Sequence, residues 1–366
     1  MPMSLNMSSI DLHFMIKELK SLIGSRLDKA YHLENDEIIL QFHTKGEGKR
    51  MLMIVPGKAA LISESKNAPE NPSGFCMFLR KYLENSKITE ISQIGSERVL
   101  MLQLENRSSY RIYAELFGKG NIIISDNNDI IMNALHQQKW SDREIRKGLQ
   151  YICPEKPFSL FDISKADFIN LPDSNEMLVL SLAKDFGFGG YYAEELCLRA
   201  GIDKKISKPD KKKKELLYEA LKEILSEKIH AMVVQNKAKK IAIPIKMEIF
   251  SGMEGKEFGS FSHAMESIYI EENKKGFTSV HQNSIDSASR IIENQKSQLE
   301  ELEKEAEINS KKGETIYENY ALVDEVLKEI RKARKIHSID EIKKRLKGHA
   351  IVKKFDGQKI MVSIGK

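Results

Sequence analysis

Gln93-Ile-Gly-Ser-Glu-Arg-Val99, an alternating run through Met101 and Gln103, and Tyr110-Arg-Ile-Tyr-Ala-Glu-Leu-Phe-Gly-Lys-Gly-Asn121 form the stretch on which the fold turns. Apolar and polar residues alternate on both sides of Glu105-Asn-Arg-Ser-Ser109. That is the pattern of two antiparallel strands joined by a loop of about five residues. Glu97 and Arg98 fall where the first strand begins, just after Gly95, which permits a sharp turn. On the second strand Glu115 is followed by Gly118, Gly120 and Asn121, so the backbone there is approachable. Carboxylate, guanidinium and bare backbone side by side suit a ligand carrying phosphates and hydroxyls. The plain alternative is a surface ion pair at a strand end, worth about 0–1 kcal/mol.

Working outward, Ser8 and Ser9 cap a helix whose one face carries Leu12, Met15, Ile16, Leu19, Leu22 and Ile23, with Gly24 ending it. Arg26 to Phe42 reads as a hairpin turning at Glu34-Asn-Asp36, and Met51–Val55 and Ala59–Ile62 as further strands. Pro69 and Pro72 mark a loop before a short amphipathic helix from Phe75 to Leu83, whose Arg80 and Lys81 reach phosphate or merely solvate its outer face. Ile122–Ser125 and Ile130–Ala134 are two more strands around Asp126-Asn-Asn-Asp129. Residues 1–160 therefore read as one α+β domain with a largely antiparallel sheet.

From Ile163 the period becomes helical, with Ser164 as a cap and Leu178, Leu182, Ala183 and Phe186 on one face. Gly187-Phe-Gly-Gly190 separates this helix from Tyr192–Arg199. A glycine turn between two helices is the helix-hairpin-helix arrangement, in which the amides near Gly187, Gly189 and Gly190 can approach a phosphate. A plain glycine-capped helical hairpin is the alternative. The basic run Lys204–Lys214, with Lys211 and Lys212, reads as a solvated loop that can brush a nucleic-acid backbone. A helix is expected over Glu215–Val234, so that 161–236 forms a second domain and 237–281 a β-rich connecting segment.

Heptads then begin. With Ile285, Ile292, Leu299, Ala306, Gly313, Tyr320 and Leu327 at a, and Ala288, Gln295, Leu302, Asn309, Ile316, Val323 and Ile330 at d, eleven of fourteen positions are apolar or aromatic. This argues a coiled-coil helix over 282–336, about 70 Å long at about 1.5 Å per residue. A small helix and a β-hairpin around Phe355-Asp-Gly-Gln358 complete 337–366.

The 366 residues are 41% apolar and 30% charged, enough for domains with real cores. Basic residues outnumber acidic ones 58 to 53, a net charge of +5 that permits a nucleic-acid partner without requiring one. Cys76, Cys153 and Cys197 stand apart with no Cys-x-x-Cys spacing, so neither a zinc site nor a disulfide framework is expected. Neither a membrane-spanning run nor a signal pattern is present, and a cytoplasmic protein without a membrane partner or cofactor is the expectation.

Three ordered segments resemble the NFACT family, known as RqcH in bacteria and archaea and NEMF in animals. Gln93–Val99 is similar to its Gly-x-Asp-Arg segment, Phe75-Cys-Met-Phe-Leu-Arg-Lys81 to its Phe-Cys-Met-Leu-Leu-Arg-Lys run, and Glu115–Ile123 to its Glu-x-Met-Gly-x-x-Ser-Asn-Ile segment. The Ser9-Ile-Asp11 opening, Arg26-x-Asp-Lys29, the Arg143-x-Ile145 to Pro154 bridge and Phe258 to Tyr269 also resemble it. The resemblance implies a ribosome-associated quality-control factor. Such a factor binds the large ribosomal subunit, its rRNA and tRNA, and recruits aminoacyl-tRNA, of the alanine type, for untemplated C-terminal tailing of stalled chains. Glu97 stands where the family has Asp and Arg98 where it has Arg, the pair on which tRNA engagement depends. The family resemblance adds Glu115, Gly118, Asn121, Arg80 and Lys81 as tRNA-binding candidates. The chemistry would be the ribosome's, and no catalytic residue is assigned.

The family usually continues into a returning helix and an NFACT-R domain, so the chain reads as the N-terminal part of a longer protein or a shortened homologue. Its apolar seam is expected to pair with a second copy. Two rival readings follow from the same resemblance. The first domain and helical hairpin are similar in fold to formamidopyrimidine-DNA glycosylases, whose nucleophile is an N-terminal proline. Pro2 is present, but Met3 to Asn6 supply no acid, and the cysteines cannot form a C-terminal zinc finger. The older reading as a fibronectin-binding surface adhesin is opposed by the lack of a signal pattern.

Overall fold

A computed structural model describes residues 5–33, 35–64, 72–141, 143–154, 159–172, 175–236, 239–356 and 359–364, with backbone alone over 274–291. Pro2, Glu34, Pro69, the Gly357-Gln358 turn and the side chains of Ile285 and Ala288 lie outside the described residues. The chain divides into two compact units, Met1–Lys275 and Gly276–Lys366. In the first, α1 (Ser9–Leu19) starts at a capping box. Asp11 N–H donates to Ser8 Oγ at 3.1 Å, and Ser8 N–H donates back to Asp11 Oδ2 at 2.8 Å. A 3-10 turn (Lys20–Leu22) follows it, and Gly24, at φ 91°, then donates its N–H to Ile88 O.

Four strands then meander: β1 (Arg26–His32), β2 (Ile38–Thr44), β3 (Gly48–Val55) and β4 (Ala59–Ser63). Helix α2 (Gly74–Leu83) leads to a second meander of β5 (Lys87–Gln93), β6 (Val99–Glu105), β7 (Ser109–Glu115), β8 (Asn121–Asp126) and β9 (Ile131–Ala134). The nine strands form one antiparallel sheet in the order β4-β3-β2-β1-β5-β6-β7-β8-β9. The meanders join at β1 and β5 through Arg26 and Lys87. The central hairpin forms as the alternation indicates, Val99 facing Glu115 and Glu105 facing Ser109. Strand β5 has no clean alternation because a register shift between Ile88 and Glu90 puts Ile88 and Ile91 three residues apart.

Both faces of β6 are covered. Leu100, Leu102 and Leu104 join the main core with Leu12, Met15, Ile16 and Leu19 of α1, while Val99 and Met101 pack with Tyr113, Ile145 and Tyr151 on the other side. Strand β10 (Gln138–Lys139) pairs with β11 (Glu144–Ile145), whose Ile145 joins the latter cluster together with Tyr151 of the segment that follows. Helix α1 has a second apolar face: Ile10 and Phe14 enter the core of the helices that come next. These are α3 (Lys165–Ile169, capped by Ser164), α4 (Leu178–Lys184), α5 (Gly190–Arg199) and α6 (Lys211–Ser226).

The sequence reading misplaces α6 at both ends. Asp210 Oδ1 accepts from Lys213 N–H at 2.9 Å and caps a helix that begins inside the lysine run, rather than after it. The helix ends at Ser226, because the β-branched run near Val233 is taken by β12 (Met232–Asn236). With β13 (Lys239–Ile243) and β14 (Gly255–Glu257) it forms a sheet in the order β13-β12-β14. The long helix α7 (Phe261–Glu318) starts well before residue 282, inside the segment read as β-rich. Glu18 explains the start: its carboxylate accepts from Phe261 N–H, Ser262 N–H and Ser262 Oγ at 2.5, 2.9 and 2.8 Å. An anion over a helix N-terminus is favoured by the free amides and the dipole. Phe261, Ala264, Met265 and Ile268 then pack on the main core.

In the second unit, Asn319 (φ −108°, ψ 29°) separates α7 from α8 (Tyr320–Ala333), so the expected single helix is two. The α9 helix (Ile339–Arg345) carries a capping box of Ser338 and Glu341, and β15 (Val352–Phe355) pairs with β16 (Ile360–Val362). Val326, Ile330, Ile342, Val352 and Phe355 make its core. Seam positions Ile292, Leu299, Leu302 and Ile316 are exposed. Among the described residues no helix is long and apolar enough to cross a membrane.

Candidate functional site

The turn between β5 and β6 is built as a rigid ledge. Glu97 N–H donates to Ile94 O at 3.0 Å, Ile94 N–H to Val99 O at 3.1 Å, and Gly95 takes φ 52°. The start of α1 braces it from beneath: Ser9 Oγ donates to Ser96 O, and Gln93 Nε2 donates to Ser9 O at 3.0 Å and Glu97 O at 2.8 Å. Facing this ledge is the turn between α4 and α5. Gly187 and Gly189 take φ 76° and 80°, which only glycine adopts without strain. Phe188 between them is 1% exposed and anchors the turn in the helical core. The first amides of α5, from Gly190 on, are those a helix cannot satisfy internally.

Between ledge and turn lies a cleft of about 470 Å³, with Ser96, Glu97 and Arg98 on one side and Lys184, Gly187 and Gly189 on the other. A second lobe of about 280 Å³ shares Arg98 and Gly189 and adds Gly190, Tyr191 and Lys239. Two features that stand about ninety residues apart in the sequence thus meet across one opening.

Glu97 and Arg98 are not spent on each other. Among the described residues Arg98 has no carboxylate within salt-bridge distance, and it donates a hydrogen bond from Nη1 to Met7 O at 3.3 Å. Burial pulls its pKa below the ordinary value and the nearby Glu97 charge pushes back. Glu97 Oε1, Ser96 Oγ and Gln93 Oε1 are covered and have no hydrogen-bond partner among the described residues. A half-desolvated cation beside unmatched polar atoms is stabilised by any ligand that completes both.

The other sequence candidates are placed elsewhere. Glu115 is 2% exposed, held by Arg143 at 2.5 and 3.2 Å and by Tyr151 Oη at 3.1 Å, so it ties the Arg143–Pro154 bridge to the sheet and offers no oxygen outward. Asn121 is fully buried, donating to His136 O and Gln138 Oε1 and accepting from Ile122 and His136 N–H. Gly118 lies at an open turn position with φ 58°. Arg80 donates to Ala30 O at 2.9 Å and Lys81 lies over the Tyr82 ring, both on α2 and neither lining the cleft. Lys211 and Lys212 are exposed in the first turn of α6, also outside it. Sequence reasoning missed Ser96, Lys184, Tyr191 and Lys239; Ser8 and Ser9 were visible only as helix caps.

A family profile described as NFACT N-terminal and middle domains matches residues 8–359. The chain is 33% identical over 366 residues to the archaeal Rqc2 homolog aRqcH of Methanocaldococcus jannaschii, covering 93% of this chain and 54% of that one. It is 23% identical to the human ribosome quality control complex subunit NEMF over 89% of this chain and 34% of that one. It is 26% identical to the Rqc2 homolog RqcH of Bacillus subtilis over 52% and 36%. The chain thus spans about half the length of the archaeal relative and about a third of the other two. Two solved structures share the fold. The fibrinogen binding protein from Staphylococcus aureus has TM-score 0.60 at 19% identity, covering 72% of this chain and 98% of that one. The N-terminal part of the fibronectin/fibrinogen-binding protein from Streptococcus suis has TM-score 0.61 at 22% identity, covering 73% and 100%.

Proposed function

Because the chain belongs to the NFACT family, we propose that it is a ribosome quality-control factor whose cleft engages RNA. The observation that carries this reading is Arg98, a partly buried guanidinium that among the described residues has no carboxylate within salt-bridge distance, facing a glycine turn at the start of a helix. Phosphate contacts commonly come from guanidinium groups and helix N-terminal amides together. The human relative is named as a subunit of a ribosome quality control complex, and the archaeal one as an Rqc2 homolog. In this reading the chain works in the cytoplasm on the large ribosomal subunit and its rRNA. It recruits aminoacyl-tRNA, of the alanine type, for untemplated C-terminal tailing of stalled nascent chains.

The α4–α5 pair acts as a helix-hairpin-helix, the first domain is of the glycosylase N-domain type, and the exposed seam of α7 is a coiled-coil face that pairs with a second copy. Direct contact falls to Glu97, Arg98, Gly187, Gly189 and Gly190, with Arg80, Lys81, Lys211, Lys212 and the Gly118 turn as peripheral backbone contacts. Glu115 and Asn121 hold the scaffold. Peptidyl transfer stays with the ribosome, and the chain contributes by positioning.

Sequencing RNA photo-crosslinked to the chain in cells tests this. One or a few tRNAs together with large-subunit rRNA are expected. Recovery of no RNA, or of DNA in preference, contradicts the reading.

A further inference from the structure

Trp140, the only tryptophan of the chain, is left 41% exposed at the tip of a hairpin. Strands β10 and β11 pair Lys139 with Glu144, and Trp140 N–H donates to Arg143 O at 2.8 Å to close the turn. The guanidinium carbon of Arg143 lies 4.3 Å from the centre of the Trp140 ring. That guanidinium is pinned: both of its terminal nitrogens donate to Glu115, and the Arg143 side chain is 7% exposed. A desolvated cation binds an aromatic face more strongly than an exposed one does, so the indole is held from beneath. Among the described residues no second ring or cation packs on it, and its N–H has no hydrogen-bond partner. Shielding the Glu115–Arg143 pair uses one face of the ring and leaves the other over.

Arg143 also connects Trp140 to the cleft. Its guanidinium carbon is 5.7 Å from the centre of the Phe117 ring, and its Nη1 donates to Ile152 O at 3.5 Å. Phe117 lines the cleft, as does Pro154, two residues after Ile152. Trp140 therefore stands just outside the rim, on the side of this wall. The two rings are close enough for neighbouring nucleotides of one strand to touch both. Lys119 and Lys139, next to these residues along the chain, are exposed cations.

A rigid indole with one open face, a free N–H at its edge and cations close by suits a flat π-system on a phosphate chain. A cationic side chain is disfavoured there, because Arg143 already draws on the ring from its other face. A base inside a duplex has both faces covered by its neighbours, so the occupant comes from a loop or an end. Resting on the RNA-binding reading above, we infer that Trp140 is a stacking platform for one unpaired nucleobase of the strand that occupies the cleft. Every base has a π-face, so the platform adds affinity and does not choose among bases.

With one tryptophan in the chain, intrinsic fluorescence reports this ring alone. Titration with tRNA is expected to quench the emission, to saturate together with the anisotropy of labelled tRNA, and to shield the ring from acrylamide. An adenosine heptamer quenches likewise; a heptamer of abasic ribose phosphates, which keeps the charges and lacks the bases, does not. Trp140→Leu keeps an apolar cover over Arg143 and loses the π-face. It weakens tRNA binding roughly tenfold at an unchanged thermal midpoint, the scale of one base–aromatic stack, and Trp140→Phe restores most of the loss. Bound tRNA with unchanged emission, equal quenching by the abasic heptamer, or wild-type affinity in Trp140→Leu each overturns the platform and leaves RNA binding standing. Failure of the wild-type chain to bind tRNA at all overturns both.

Discussion

Glu115 and Glu97 are carboxylates at the same open end of the β6–β7 hairpin, where Val99 faces Glu115, and their surroundings give them opposite roles. Glu115 is enclosed with Arg143, their side chains 2% and 7% exposed. Its partners lie 28 and 36 residues further along the chain, so no local pattern could show that it is spent. Breaking a buried pair leaves a charge uncompensated, and Glu115→Gln should lower stability by about 3–5 kcal/mol in urea unfolding. Glu97 could be placed by its position after Gly95 at a strand start, and what the sequence could not show is that Arg98 is not its salt-bridge partner. His13 gives a pH test at the same scale. Burial first, then Lys17, hold its pKa below the ordinary 6.5. Between the folded value and 6.5 the unfolded chain binds more protons, so stability is complete above 6.5 and is lost as pH falls through that window. His13→Gln should flatten the slope of thermal midpoint against pH between about 5 and 7. An unchanged slope would show that other groups set it.

At the scale of elements, most of the sheet and the capped helices were legible because local signals agreed: Ser8, Ser73, Ser164 and Ser338 all accept cap hydrogen bonds. The misses share a cause, that a tertiary partner overrode the local pattern. Strand β5 is bulged, α7 starts where Glu18 reaches over from α1, and α6 gives up its last turns to β12. The β7–β8 turn is likewise fixed from afar. A Cβ at Gly120 would stand 1.9 Å from Gly57 N, whereas one at Gly118 meets nothing within 4 Å. Both glycines have positive φ, so the backbone strain is shared and the difference reports the contact. Gly120→Ala should cost at least about 2 kcal/mol more than Gly118→Ala in matched urea melts, the scale of core overpacking. Equal costs would mean the two turns separate without penalty.

For the whole molecule, the α1 helix explains why ledge and glycine turn hold a fixed opening. Its Leu12 and Leu19 belong to the sheet core and its Ile10 and Phe14 to the helical core, and the Asp11 carboxylate accepts from Tyr192 Oη at 2.8 Å. The heptad pattern was legible, but its break at Asn319 was not, since a single residue leaving helical geometry keeps the apolar spacing on both sides. Exposed Leu299 and Leu302 carry the proposal of self-association. Light scattering should find the chain dimeric at micromolar concentration and a version ending at Lys275 monomeric; two monomers would remove the second copy from the account. The cleft itself is tested by mapping which peptides become photo-crosslinked to bound tRNA in the intact chain. Crosslinks should fall on residues 93–98 and 184–192 together and disappear with Arg98→Ala. Crosslinks confined to α2, to the first turn of α6 or to residues beyond 276, with both cleft segments unmarked, would contradict it.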